Sequence, residues 1–157
     1  MHDTLSLRPA APGDDAFLRS LFAVTRSAPF EAAGLDPDSV ERLLDLQFEA
    51  QRRHYSHHYP QSRRWVLLED GLAVGRLTEV AQDDHLLLLD LAVDPAARRR
   101  GLATWMIEQL LRRARATGVP LRCHVDPGNP ARTLYDRLGF TVVGHDGADL
   151  LLELAGP

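Results

Sequence analysis

No lysine occurs in this sequence; all 18 of its basic residues are arginine. That excludes Schiff-base chemistry, a lysine-bound pyridoxal phosphate and a P-loop lysine. A single cysteine, Cys123, excludes an internal disulfide and a cysteine-rich zinc site. No apolar run reaches the roughly 18–20 residues of a membrane span, because the run from Leu86 is cut by Asp90 and stopped by Asp94. The first ten residues carry no basic segment followed by an apolar one, so no secretory signal is read and a cytoplasmic protein is expected. The formal net charge of −4 argues against nucleic acid as the main partner. With 45% hydrophobic and 25% charged residues, the composition is that of a globular protein and excludes disorder, collagen and coiled coil. The 157 residues suit one domain, 1–157, large enough for a core without staples.

The patterns that are present predict an α/β chain. Residues 4–8 alternate as a strand, and residues 14–26 put Phe17, Leu18, Leu21 and Phe22 on one helical face. Asp36 reads as an N-cap and Pro37 as the first residue of a second amphipathic helix, which runs out near Pro60. Two strands follow, joined by the hairpin dipeptide Asp70-Gly71. The continuously apolar HLLLLDLAV then fits a strand buried on both faces. A helix over 101–117 ends at Gly118, and LRCHV is the next strand. Asn129 caps a short helix that Pro130 opens and Gly139 ends; two antiparallel strands close the chain. The expected order is β-α-α-β-β-β-α-β-α-β-β, with a mixed sheet.

The charge is locally uneven. In VDPAARRRGLATWM, a buried strand ends at Val93, and Arg98, Arg99 and Arg100 lead into a helix with Gly101 at its first turn. The first amides of a helix lack internal partners and carry part of the macrodipole's positive charge. No Ser, Thr, Asn or Asp stands at 96–101 to cap them, and Gly101 and Ala103 leave room for a bulky anion. These features describe a phosphate or pyrophosphate cradle. A solvated arginine turn is the plainer reading of the same residues. Neither the Walker A pattern nor the dinucleotide glycine pattern is present.

Arg98, Gly101 and Ala103, as R-x-x-G-x-A, resemble the Q/R-x-x-G-x-G/A signature of the GNAT superfamily of acyl-CoA-dependent N-acetyltransferases. The preceding V-D-P and the later NPARTLYDRLGF resemble the same family. The likeness is close over about residues 84–144 and covers the whole order of elements loosely. It implies a mixed, mostly antiparallel sheet of about six or seven strands with about four helices, splayed between the fourth and fifth strands. It implies acetyl-CoA as co-substrate, with no metal. Its pyrophosphate would lie on Arg98, Arg99, Arg100, Gly101, Leu102, Ala103 and Thr104, and its pantetheine arm along Leu91, Ala92 and Val93 with help from Asn129. Tyr135 matches the family's tyrosine that protonates the leaving thiolate, a task a phenol can perform. The interval from Asn129 to Tyr135 is six residues, one shorter than the commonest family form. His124 matches a strand position where some members carry a glutamate base, and an imidazole can take up a proton near neutral pH. A structural histidine is the other reading of it, and Glu79 and Asp90 are weaker candidates for a base. Cys123 cannot pair with His124 as a dyad, because neighbouring strand residues point to opposite faces.

The resemblance implies transfer of an acetyl group to a primary amine of a small molecule or peptide, by direct attack. The alternatives are a non-catalytic acyl-CoA-binding or sensor protein of the same fold and a loop protein for another nucleotide. The acceptor side would involve residues 27–36 and the end of the second helix, with Phe30, Glu31, Tyr55 and Tyr59 as candidates. Glu31 and Asp36 would attract a cationic amine. His54, His57 and His58 read as C-terminal helix residues suited to the dipole rather than as metal ligands. Neither a membrane nor nucleic acid is expected as a partner, and a homodimer is compatible with the family.

Overall fold

The computed structural model describes residues 4–98 and 100–155. Seven strands form one sheet in the order β1-β2-β3-β4-β5-β7-β6. They are β1 (Leu5–Pro9), β2 (Arg63–Glu69), β3 (Leu72–Ala81), β4 (Leu86–Val93), β5 (Leu121–Val125), β6 (Thr141–Asp146) and β7 (Asp149–Leu154). The helices are α1 (Asp15–Arg26), α2 (Ala28–Ala32), α3 (Pro37–His58), α4 (Leu102–Ala116) and α5 (Arg132–Arg137). The mixed α/β architecture read from the sequence is the one observed, with one more helix. That helix, α2, is five residues long and opens with Pro29 in its first turn, too short to show a period.

Two compact units make up the chain. The first comprises residues 1–78 and 91–100. Its core gathers Leu18 and Phe22 of α1, Val40, Leu44 and Phe48 of α3, and Val66 of β2. Phe22 and Phe48 meet edge to face with ring centroids 5.4 Å apart. Asp36 caps α3 as expected, its Oδ1 accepting from the Ser39 amide at 3.3 Å. Asp70 and Gly71 both adopt positive φ, the geometry that a two-residue hairpin requires. Strand β1 runs antiparallel to β2, Leu5 opposite Glu69 and Pro9 opposite Trp65.

The second unit comprises residues 79–90 and 101–157. Strands β4 and β5 pair in parallel through Leu86–Leu88 against Leu121–Cys123, and that register ends there. On its other side β5 pairs antiparallel with β7, His124 opposite Leu151 and Val125 opposite Leu150. Helix α4 buries Leu102, Met106, Ile107, Leu110 and Ala114 on one side. Gly118, at φ +74°, ends it as expected. The Asn129 side chain accepts from the Ala131 amide at 2.9 Å and holds a turn. The helix proper begins two residues later than expected, at Arg132.

Candidate active site

Within the first unit, β4 ends in Leu91 and Ala92, half-buried, and Val93, buried. β3 presses against this end. The Asp94 amide donates to the Val74 carbonyl at 2.8 Å. A Cβ at Gly75 would lie 2.8 Å from the Ala92 carbonyl oxygen, so only glycine lets the two backbones approach this closely. Asp94 then opens a single 3-10 turn, Pro95–Ala97, by accepting from the Ala96 amide at 2.9 Å. The Arg98 side chain that follows is exposed. Arg100, expected in the cradle, makes an ion pair: its Nη1 donates to Glu69 Oε1 at 2.6 Å. Arg99, the third arginine of the expected cradle, lies outside the described residues.

Within the second unit, Gly101 is the N-cap of α4. Its φ of +73° is left-handed, and no side chain caps the helix. Leu102 is buried, whereas Ala103 and Thr104 are half-exposed. A helix start without a side-chain cap, entered through a glycine and preceded by arginines, suits an anion by charge. A pyrophosphate group fits these residues.

β5 buries Leu121, Cys123 and Val125 and leaves Arg122 and His124 half-buried on the other face. His124 Nε2 lies 3.4 Å from Asp146 Oδ2. On α5, the Tyr135 ring stacks edge to face on Phe140 at 5.4 Å. Burial, followed by the charges of Cys123 and Asp90, pushes the Tyr135 phenol well above its usual range. Burial alone pushes the Cys123 thiol up to about 12. Glu79 is 1% exposed and accepts from Arg113 Nη2 at 3.0 Å, so its carboxylate is engaged in a buried ion pair.

The residues expected on the acceptor side part company. Tyr55 and Tyr59 line one cavity of about 280 Å³ at the C-terminal end of α3. Glu31 lies at a separate hollow, beside Val24 and Leu35. Phe30 packs on the core of α1 and α3. The cavity also holds residues that sequence reasoning missed: Arg52, Arg64, Trp65 and Arg76. The one signal for them was an arginine, Arg76, inside the apolar run of β3; it is 6% exposed. His58 Nδ1 lies 3.0 Å from the His54 carbonyl oxygen, and the two rings stack at 4.2 Å. Among the described residues no group of three or more His, Cys, Asp or Glu side chains is placed to hold a metal. No helix among them is long and apolar enough to cross a membrane.

Known proteins share this fold. A model of the Acetyltransferase (GNAT) family matches residues 26–140. The [ribosomal protein bS18]-alanine N-acetyltransferase of Salmonella typhimurium is 29% identical, over 72% of this chain and 93% of that protein. Among solved structures, the PaiA N-acetyltransferase of Thermoplasma acidophilum in complex with coenzyme A superposes with a TM-score of 0.72 at 16% identity, covering 97% of this chain and 99% of that one. An acetyltransferase from Thermus thermophilus gives 0.65 at 25% identity, covering 98% and 97%. The strand end, the glycine-entered helix and the half-buried tyrosine are thus set in a chain that belongs to the GNAT family of N-acetyltransferases.

Proposed function

We propose that the protein transfers the acetyl group of acetyl-CoA to a primary amine of a small molecule or peptide. The observation that carries this reading is the start of α4, with Gly101 left-handed and no side-chain cap, just after the exposed Arg98. Amides from Arg99 to Thr104 would hold the pyrophosphate, and the backbone of Leu91 to Val93 the pantetheine arm. Asn129 already spends its side-chain oxygen on the Ala131 amide, which leaves its amide NH2 for the ligand. When bound, acetyl-CoA supplies an activated acyl carbonyl. The amine nitrogen forms the new C–N bond, the C–S bond breaks, and the ammonium proton leaves for a base while the thiolate receives another.

Tyr135 is assigned the second proton. A phenol pushed upward stays protonated across the neutral range and is always in the donor state. Burial pushes the Cys123 thiol upward too, so a leaving thiolate in similar surroundings would be raised in the same direction as the phenol. His124 is assigned the first proton. It sits on the face of β5 opposite Cys123, with Asp146 to orient its ring.

The test is to incubate the purified protein with acetyl-CoA and a panel of primary amines, following free thiol and the mass of the amine. A thiol released in step with one added acetyl group on an amine is expected. Thiol release without an acetylated amine, or no release with any amine, would contradict the reading.

A further inference from the structure

The cavity at the end of α3 has walls of a definite chemistry. Arg52, Arg64 and Arg76 line it, together with the rings of Tyr55, Tyr59 and Trp65, and among the described residues no carboxylate does. The three arginines are not equivalent. Arg52 shares its charge with Asp15 at 2.9 Å and Glu49 at 3.5 Å. Arg76 is fixed in place: its Nη2 donates to Gln51 Oε1 at 3.2 Å, and its guanidinium lies 5.5 Å from the centre of the Phe22 ring. Arg64 is exposed, and among the described residues no carboxylate lies within ion-pair distance of it. It contributes at longer range to the field that lowers Asp14 and Asp15.

A cavity of about 280 Å³ is at the small end of the roughly 300–1,000 Å³ typical of small-molecule sites. Its position also bears on the reaction. Two of its lining residues, Arg76 and Thr78, come from β3, the strand whose Gly75 packs against the Ala92 carbonyl at the strand end assigned to the pantetheine arm. A polyamine would meet the like charge of Arg64 here. A carboxylate would meet the arginine fork it matches, and an apolar body would meet aromatic faces.

We propose that the acceptor is an amine that also carries a carboxylate, of the size and kind of an aromatic or apolar amino acid. Arg64 receives the acid group, and Tyr55, Tyr59 and Trp65 hold the body. This rests on the acetyl-transfer reading above and specifies its acceptor.

Two experiments separate the claims. In a Trp105→Phe variant, which leaves Trp65 as the one tryptophan, fluorescence is followed while 3-phenylpropanoate or the matching alcohol, 3-phenylpropan-1-ol, is added without acetyl-CoA. Saturable quenching by the acid, at least tenfold tighter than by the alcohol, is expected. Turnover with acetyl-CoA is then compared between phenylalanine and phenethylamine, which differ only by the carboxylate. A kcat/KM at least tenfold higher for phenylalanine is expected. Arg64→Gln should shrink that ratio about tenfold, and Arg64→Lys should restore part of it, with thermal unfolding confirming the fold of both. Equal or better turnover of phenethylamine would overturn the acidic acceptor while leaving acetyl transfer intact. Quenching by the acid with no transfer to any amine would instead overturn the transfer reading, and the acceptor assignment with it.

Discussion

Replacing Tyr135 by phenylalanine removes one oxygen and little else. The ring keeps its edge-to-face partner Phe140, 5.4 Å away, so packing on α5 is preserved. Stability should therefore change by less than about 1 kcal/mol, as for other nearly isosteric swaps. The chemistry should change far more. Loss of a positioned general acid typically costs about 10²–10⁴ in rate. A hundredfold fall corresponds to about 2.7 kcal/mol of barrier. Because burial holds the phenol protonated well past neutrality, the wild-type profile should show no alkaline fall from this residue between pH 6 and about 9. Steady-state kinetics with a saturating amine should give kcat down at least about 100-fold. Calorimetry should find acetyl-CoA affinity within about twofold of wild type, since only uniform binding is spared. Substitution of Phe140 by leucine disturbs the ring but keeps the hydroxyl, and should cost much less in kcat. A Tyr135→Phe enzyme with kcat within threefold of wild type would refute the assignment of the proton to this phenol.

Further predictions concern the backbone and the second proton. Gly101→Ala should cost about 1–2 kcal/mol through its left-handed φ, a fall of several degrees in Tm, and Gly101→Asn should cost less; equal Tm values would remove the conformational argument. Gly75→Ala drives a Cβ to 2.8 Å from the Ala92 carbonyl and should cost about 1–3 kcal/mol, with weaker acetyl-CoA binding by calorimetry; an unchanged Tm and Kd would show that the two strands can part freely. Cys123 and Tyr135 are both raised in the folded state, so the folded protein holds their protons more tightly than the unfolded chain. Their contribution is whole below about pH 9 and is lost as pH rises toward about 12, which urea unfolding at a series of pH values would read; Cys123→Ser should flatten the slope. His124→Ala should lower kcat by about 10²-fold at fixed pH, and an unchanged kcat would leave His124 structural.

The sequence carries the fold where local chemistry is decisive. Asp70-Gly71 can form a tight turn because both residues tolerate positive φ, and both adopt it. The apolar run of β4 announces a buried strand, and the alternation of β5 separates Cys123 from His124 without any structure. The glycine-entered helix at Gly101 is legible for the same reason, since no capping side chain stands near it. The cavity at the end of α3 is not legible in this way. Its walls come from α3, β2 and β3, so Arg52, Arg64 and Arg76 meet only through tertiary packing. Phe30 and Glu31 follow from their place in the 27–36 segment, but α2 turns Phe30 to the core and leaves Glu31 at another hollow. A five-residue helix has too few turns to reveal which of its faces is buried.

Calorimetric titration of the purified protein with acetyl-CoA, beside ATP and NAD, tests the central claim most directly. Saturable binding of acetyl-CoA alone is predicted, lost in Gly101→Glu, where bulk and negative charge would block the helix start. Ligand at about 100 times Kd should also raise stability by about 2.7 kcal/mol. No heat with millimolar acetyl-CoA, or equal binding of ATP or NAD, would contradict an acetyl-CoA-dependent transferase.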